Sequence, residues 1–115
     1  MSSDAQPPRE PSAYRPTLHF KERFEDAFDD HRRHLDGEIV RRCITDGELV
    51  EQGRNAARFV EDIEGVTYAI VVNPRSRCVA SGYPVSLDWA SATESGRWSE
   101  SQLEDINAFL ADSPR

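Results

Sequence analysis

Two hydrophobic rhythms divide the chain. Between Thr17 and Gly47 the apolar residues recur at helical spacing, and from Glu48 to Val85 they alternate or run together as strands do. In the stretch TLHFKERFEDAF, Phe20, Phe24 and Phe28 fall four apart and form one stripe, with Ala27 and Leu35 extending it. This spacing predicts a helix from about Leu18 or Phe20 to about His34, its polar face carrying Lys21, Glu22, Glu25, Asp26, Asp29 and Asp30. A second helix is predicted from Asp36, a good cap residue, burying Ile39, Val40, Cys43 and Ile44 and stopping at Gly47. The few residues between the two predict a helical hairpin.

After Gly47 the segments ELVEQ, AARFVEDI, VTYAIVVN and RCVASGYPV read as four strands. The breaks Gly53-Arg54-Asn55, Glu64-Gly65 and Asn73-Pro74-Arg75-Ser76 are short, which favours an antiparallel meander with Val66 to Val72, apolar on both faces, at its centre. Residues 86–98 read as a loop pinned by Trp89 and Trp98. Ser99 and Gln102 make a capping box for a last helix over residues 99–112, with Leu103, Ile106 and Leu110 as its stripe. The pattern as a whole predicts an α+β fold: an N-terminal helical hairpin packed on a four-stranded antiparallel sheet, plus a C-terminal helix.

Composition changes this picture at the ends and on the surface. Residues 1–16 hold four of the seven prolines and almost no large apolar residue, so they are expected to form a disordered arm before a single domain over residues 17–115. That arm has neither the charged start nor the apolar run of a secretory signal, and no segment reaches the roughly 18–20 apolar residues of a membrane span. A cytoplasmic protein with no membrane partner is expected. Twenty-one acidic residues face fourteen basic ones, and Lys21 is the one lysine. Such a surface suits solubility in concentrated salt and points to a halophilic archaeal source. The net charge of −7 opposes long-range attraction to nucleic acid, an argument that fades where molar salt shortens the Debye length to about 3 Å. Cys43 and Cys78 read as small hydrophobes of a reducing compartment.

The His-x-x-x-Arg opening helix (His19, Arg23), the second helix EIVRRCITDGELVE and the strand-rich part ending VVNPRSRCVASGYPV resemble small archaeal and bacterial domains grouped with the RelE-like toxins. That group shares a fold with barnase-type and colicin-type ribonucleases, and the resemblance covers about residues 17–85. It implies a metal-independent endoribonuclease, toxin-like or RNA-processing, in which the 2′-hydroxyl attacks the neighbouring phosphate. His19 would serve as acid or base and Arg23 would hold the phosphate. It also implies RNA and a small antitoxin-like protein as partners, and no cofactor. Arg54, Arg58, Arg75 and Arg77 are the cations that the strand-rich part offers to RNA.

Each candidate has a plainer reading beside it. His19 also fits an ordinary helix start, and Arg23 an exposed pair with Asp26 worth about 0–1 kcal/mol. Tyr83 offers a general acid near the end of the last strand. If Val72 pairs with Arg77, however, Tyr83 lies opposite Val66 on the apolar face with Tyr68, Ile70, Val72 and Val79; a slip of one residue reverses this. His31 and His34, three apart in DHRRH, lack a third ligand at recognisable spacing, so they read as a charged helix end and no metal is expected. The alternative to the enzyme is the same scaffold without working chemistry, a protein-interaction or regulatory module, which the acidic surface favours.

Overall fold

A computed structural model describes residues 9–16, 33–35 and 37–112. A 3-10 turn at Pro11–Ala13 leads to strand β1 (Arg15–Pro16). Helix α1 (Gly37–Asp46), strands β2 (Glu48–Gln52), β3 (Ala57–Ile63), β4 (Val66–Asn73) and β5 (Cys78–Leu87), and helices α2 (Trp89–Ser95) and α3 (Glu100–Asp112) follow. The sheet order is β1-β5-β4-β3-β2. Strands β2 to β5 form the expected antiparallel meander, with β4 in the middle, and β1 adds a short parallel edge on β5.

The apolar pattern of β4 explains its place. Val66, Tyr68, Ile70 and Val72 are fully buried on one face, and on the other Ala69 is buried between the half-buried Thr67 and Val71. Helix α1 buries Ile39, Cys43 and Ile44 against β3 and β4. It ends where the Gly47 amide donates to the Cys43 carbonyl at 2.9 Å. A Cβ at Gly47 would collide with the carbonyls of Cys43 and Val60, so the tight exit onto the sheet needs glycine there. Helix α3 starts on a reciprocal box: Ser99 N donates to Gln102 Oε1 at 2.9 Å and Gln102 N to Ser99 Oγ at 3.1 Å. Its Leu103 and Ile106 are buried and Leu110 packs beside them, as the stripe predicts.

Four expectations are corrected. The first concerns the N-terminal helical hairpin. The first α-helix of the described chain is Gly37–Asp46, and Arg33 to Leu35 ahead of it are held on the sheet as a plug. His34 takes φ +49°, outside helical geometry, and the Tyr68 hydroxyl donates to the carbonyls of Arg33 and His34. Arg33 Nη1 donates to the Gly82 carbonyl at 2.9 Å and Leu35 packs over Gly82. The Arg33 and His34 carbonyls are thus committed to the sheet. The predicted helix from Leu18 to His34 otherwise lies outside the described residues.

Second, residues 86–98 are not a loop: β5 runs on to Leu87, and Asp88 caps α2 by accepting from Ser91 N at 3.2 Å. The small polar residues of WASATES concealed a two-turn helix. Of the two tryptophans, it is Trp98 that pins this region, being 6 % exposed, whereas Trp89 is 42 % exposed.

Third, the β4–β5 register differs from the expected one. Val72 pairs with Val79 and Asn73 with Cys78, and irregularities between Thr67 and Tyr68 and between Val71 and Val72 shift the ladder. Tyr83 therefore lies opposite Ala69, not Val66, and is half-buried on the face away from α1. Fourth, residues 9–16 do more than an arm would. Tyr14, the one aromatic residue before Thr17, is buried in the core, and Arg15 and Pro16 pair with Cys78 and Val79.

Candidate functional site

The antiparallel meander decides which arginines meet. Gln52 pairs with Ala57, Ala57 with Val72 and Asn73 with Cys78, so the β2–β3 and β4–β5 turns lie side by side at one end of the sheet. Arg54 is exposed in the first turn, which the Gly53 amide closes on the Ala56 carbonyl at 2.7 Å. Arg75 and Arg77 are exposed in the second. Asn73 builds that turn: its Oδ1 accepts from Arg75 N at 2.9 Å and Ser76 N at 3.1 Å, and its carbonyl accepts from Arg77 N at 2.8 Å. Arg77 closes it at φ +58°, its Nε donating to the Pro74 carbonyl at 3.1 Å. The Asn-Pro pair announces such a turn in the sequence, but the use of an arginine at positive φ does not.

Arg58 stands two pairs back from this end, opposite Val71 on the face away from α1. Its Nη1 donates to the Tyr83 hydroxyl at 3.3 Å, joining two residues that the sequence singled out separately. On the other side of the sheet, Arg9 donates to the Gly47 carbonyl and lays its guanidinium 4.9 Å from the Phe59 ring centre. Burial pushes the Tyr14 phenol up, against the opposing pull of the Arg77 and Arg9 charges.

The opposite end of the sheet carries the other sign. Glu64 turns β3 into β4, Asp62 Oδ1 accepts from Gly65 N at 3.2 Å, and Asp88 follows β5 with its amide on the Gly65 carbonyl at 2.8 Å. At about 3.3 Å per residue, the eight residues of β4 hold the two ends roughly 25 Å apart. Arg42 is near the acidic end but pairs with Glu64 at 3.8 Å.

His19 and Arg23 lie outside the described residues, as does His31. His34 is engaged with Asp105, Nε2 to Oδ2 at 3.0 Å. Among the described residues no group of three or more His, Cys, Asp or Glu could hold a metal, and no helix is long and apolar enough to cross a membrane. What the sites together can do is hold anions: guanidinium forks match phosphate oxygens two at a time, and two adjacent turns set three of them on one edge. Comparison with protein-family models, with curated proteins and with solved structures finds no match for this chain.

Proposed function

We propose that this chain is a non-catalytic binding module that grips the phosphate backbone of single-stranded RNA with the arginine-bearing end of its sheet. The observation that carries the reading is the adjacency of the β2–β3 and β4–β5 turns, which gathers Arg54, Arg75 and Arg77 on one edge of a chain that is otherwise acidic. Three guanidinium groups on two neighbouring turns offer several forks to successive phosphates, and the acidic far end disfavours binding elsewhere on the surface. The chemistry of the grip is sequence-independent.

The RelE-like endoribonuclease is the second reading. It is favoured by the 3.3 Å contact between Arg58 and Tyr83, since a phenol beside a guanidinium is a competent acid next to a phosphate clamp. One experiment separates the two. A fluorescently labelled single-stranded RNA is titrated with the protein in dilute and in molar potassium chloride, anisotropy reporting binding and a denaturing gel reporting cleavage. The module is expected to bind intact RNA. The Arg54→Gln, Arg75→Gln, Arg77→Gln triple variant should lose about two units of slope in the plot of log affinity against log salt, at ~0.7 per phosphate contact. An unchanged slope would refute the arginine edge. RNA cleaved by the parent, and left whole by Tyr83→Phe and by His19→Ala, would establish the enzyme instead.

A further inference from the structure

A second surface lies at the other end of the sheet, on α2 and α3. Trp89, Thr93, Trp98, Glu100 and Leu103 line an open hollow of about 310 Å³, at the small end of the range in which ligands are held. Its walls are fixed. Trp98 Nε1 donates to the Ile63 carbonyl at 3.3 Å and the Glu64 carbonyl at 3.2 Å, and its ring stacks on Tyr68 at 6.2 Å between centres. Arg97 lays its guanidinium 4.4 Å from the Trp98 ring centre and reaches Glu38 at 3.3 Å, so its charge already has a carboxylate partner. Asp88 caps α2 through Ser91, which sets Trp89 at the first helical position.

Trp89 is one of two large apolar residues exposed among the described residues, and nothing in its helix requires an indole there. The one ionisable group lining the hollow is the Glu100 carboxylate. An indole face beside a carboxylate attracts a cation with an apolar stem, because the ring quadrupole and the negative charge act on the head while the stem covers the ring. The chain's net charge of −7 draws such a group in from a distance.

We propose that the hollow between α2 and α3 receives a basic side chain, lysine or arginine, of a partner protein, seated on Trp89 against Glu100. It is independent of the RNA reading, since it uses none of the arginine-edge residues. The chain has two tryptophans and both line the hollow, so their indole N–H signals in a nitrogen-edited NMR spectrum report occupancy directly. The probes are Nα-acetyl-lysine amide, Nα-acetyl-arginine amide and, as the uncharged counterpart of lysine, Nα-acetyl-norleucine amide.

The basic probes are expected to shift the Trp89 indole signal saturably and norleucine much less. Trp89→Ala should abolish probe-induced shifts of the surrounding amides, and Glu100→Gln should weaken the basic probes about two- to five-fold while leaving norleucine unchanged. Equal binding of norleucine would overturn the cation receptor and leave an apolar groove. Failure of any probe to shift the signal would remove the site. A Trp89 shift that grows with protein concentration alone, with no probe present, would assign the hollow to a second copy and likewise overturn the proposal.

Discussion

Cys43 shows what burial does to a single group. Its side chain is fully buried between α1 and β4, with Sγ donating to the Tyr68 carbonyl at 3.9 Å. Burial pushes the thiol up to about 12, the Glu61 carboxylate adds to the rise, and Arg42 and a backbone hydrogen bond at Glu61 oppose it. An unfolded thiol ionises near ~8.5, so below that pH both states keep the proton and stability does not depend on it. Between about 8.5 and 12 the unfolded state alone loses the proton, and stability falls as pH rises, by at most ~1.4 kcal/mol per pH unit. Urea unfolding of the parent at pH 8 and again two units higher should therefore show a loss of about 2 kcal/mol beyond that of Cys43→Ala. Tyr14, raised in the same sense, titrates in both proteins and cancels. Parallel declines in the two would show that the thiol ionises in the folded state. This much was partly legible: the helical stripe marked Cys43 as buried, while the carboxylate beside it comes from β3 and no local pattern announces it.

At the scale of elements, the β3–β4 hairpin holds one corner of the molecule together. Glu64 at φ +54° and Gly65 at φ +101° form a two-residue turn in which both positions are left-handed, the kind that favours Asn-Gly. The Glu64 carbonyl receives Trp98 and the Gly65 carbonyl receives Asp88, so the turn also anchors the start of α2 and the tryptophan beneath it. Replacing Glu64 with Asn should raise stability by about 0.5–1 kcal/mol, since asparagine tolerates this conformation better and the Arg42 pair lost at 3.8 Å is exposed. Gly65→Ala should cost roughly 3 kcal/mol, because the new Cβ would land on the Ala92 backbone and the residue would be strained as well. Urea midpoints of the two variants moving the same way would contradict this account of the turn. The same corner explains which elements the sequence reveals. Some turns and caps that close within four residues, such as Ser99 with Gln102 or the break at Glu64-Gly65, are written locally and were readable, whereas the equally local Asp88–Ser91 cap was hidden among small polar residues that read as loop. The plug at Arg33 to Leu35 is not, because its conformation is set by Tyr68 and Gly82, far along the chain. The register of β5 escaped for a related reason: a ladder irregularity changes facing without changing the alternation of residue types.

Across the whole molecule the two ends of the sheet differ in sign, and that separation makes opposite demands on salt. The arginine edge was legible as residue types in short breaks, and the meander then fixed its adjacency. The tryptophan hollow was not, because it exists only once WASATES becomes helix α2. With 21 acidic residues against 14 basic ones, the folded chain repels itself, and screening should relieve that. The urea midpoint is expected to climb from dilute salt and level off near ~1 M, where the Debye length has fallen to about 3 Å and little repulsion is left to screen. A midpoint that kept rising linearly into higher salt would point to exclusion of salt from the surface rather than relief of charge. The proposed RNA binding at the arginine edge should run the other way, weakening over the same range as counterion release loses its driving force. On that proposal the fold and the grip have different optimal salts. If the chain works in concentrated salt, long-range attraction contributes almost nothing there, and what would survive of the proposed grip is the paired hydrogen bonding of guanidinium to phosphate. Lysine in place of arginine at positions 54, 75 and 77 tests that step: affinity should stay near the parent's in dilute salt and fall below it in molar salt, because an ammonium keeps the charge and loses the fork.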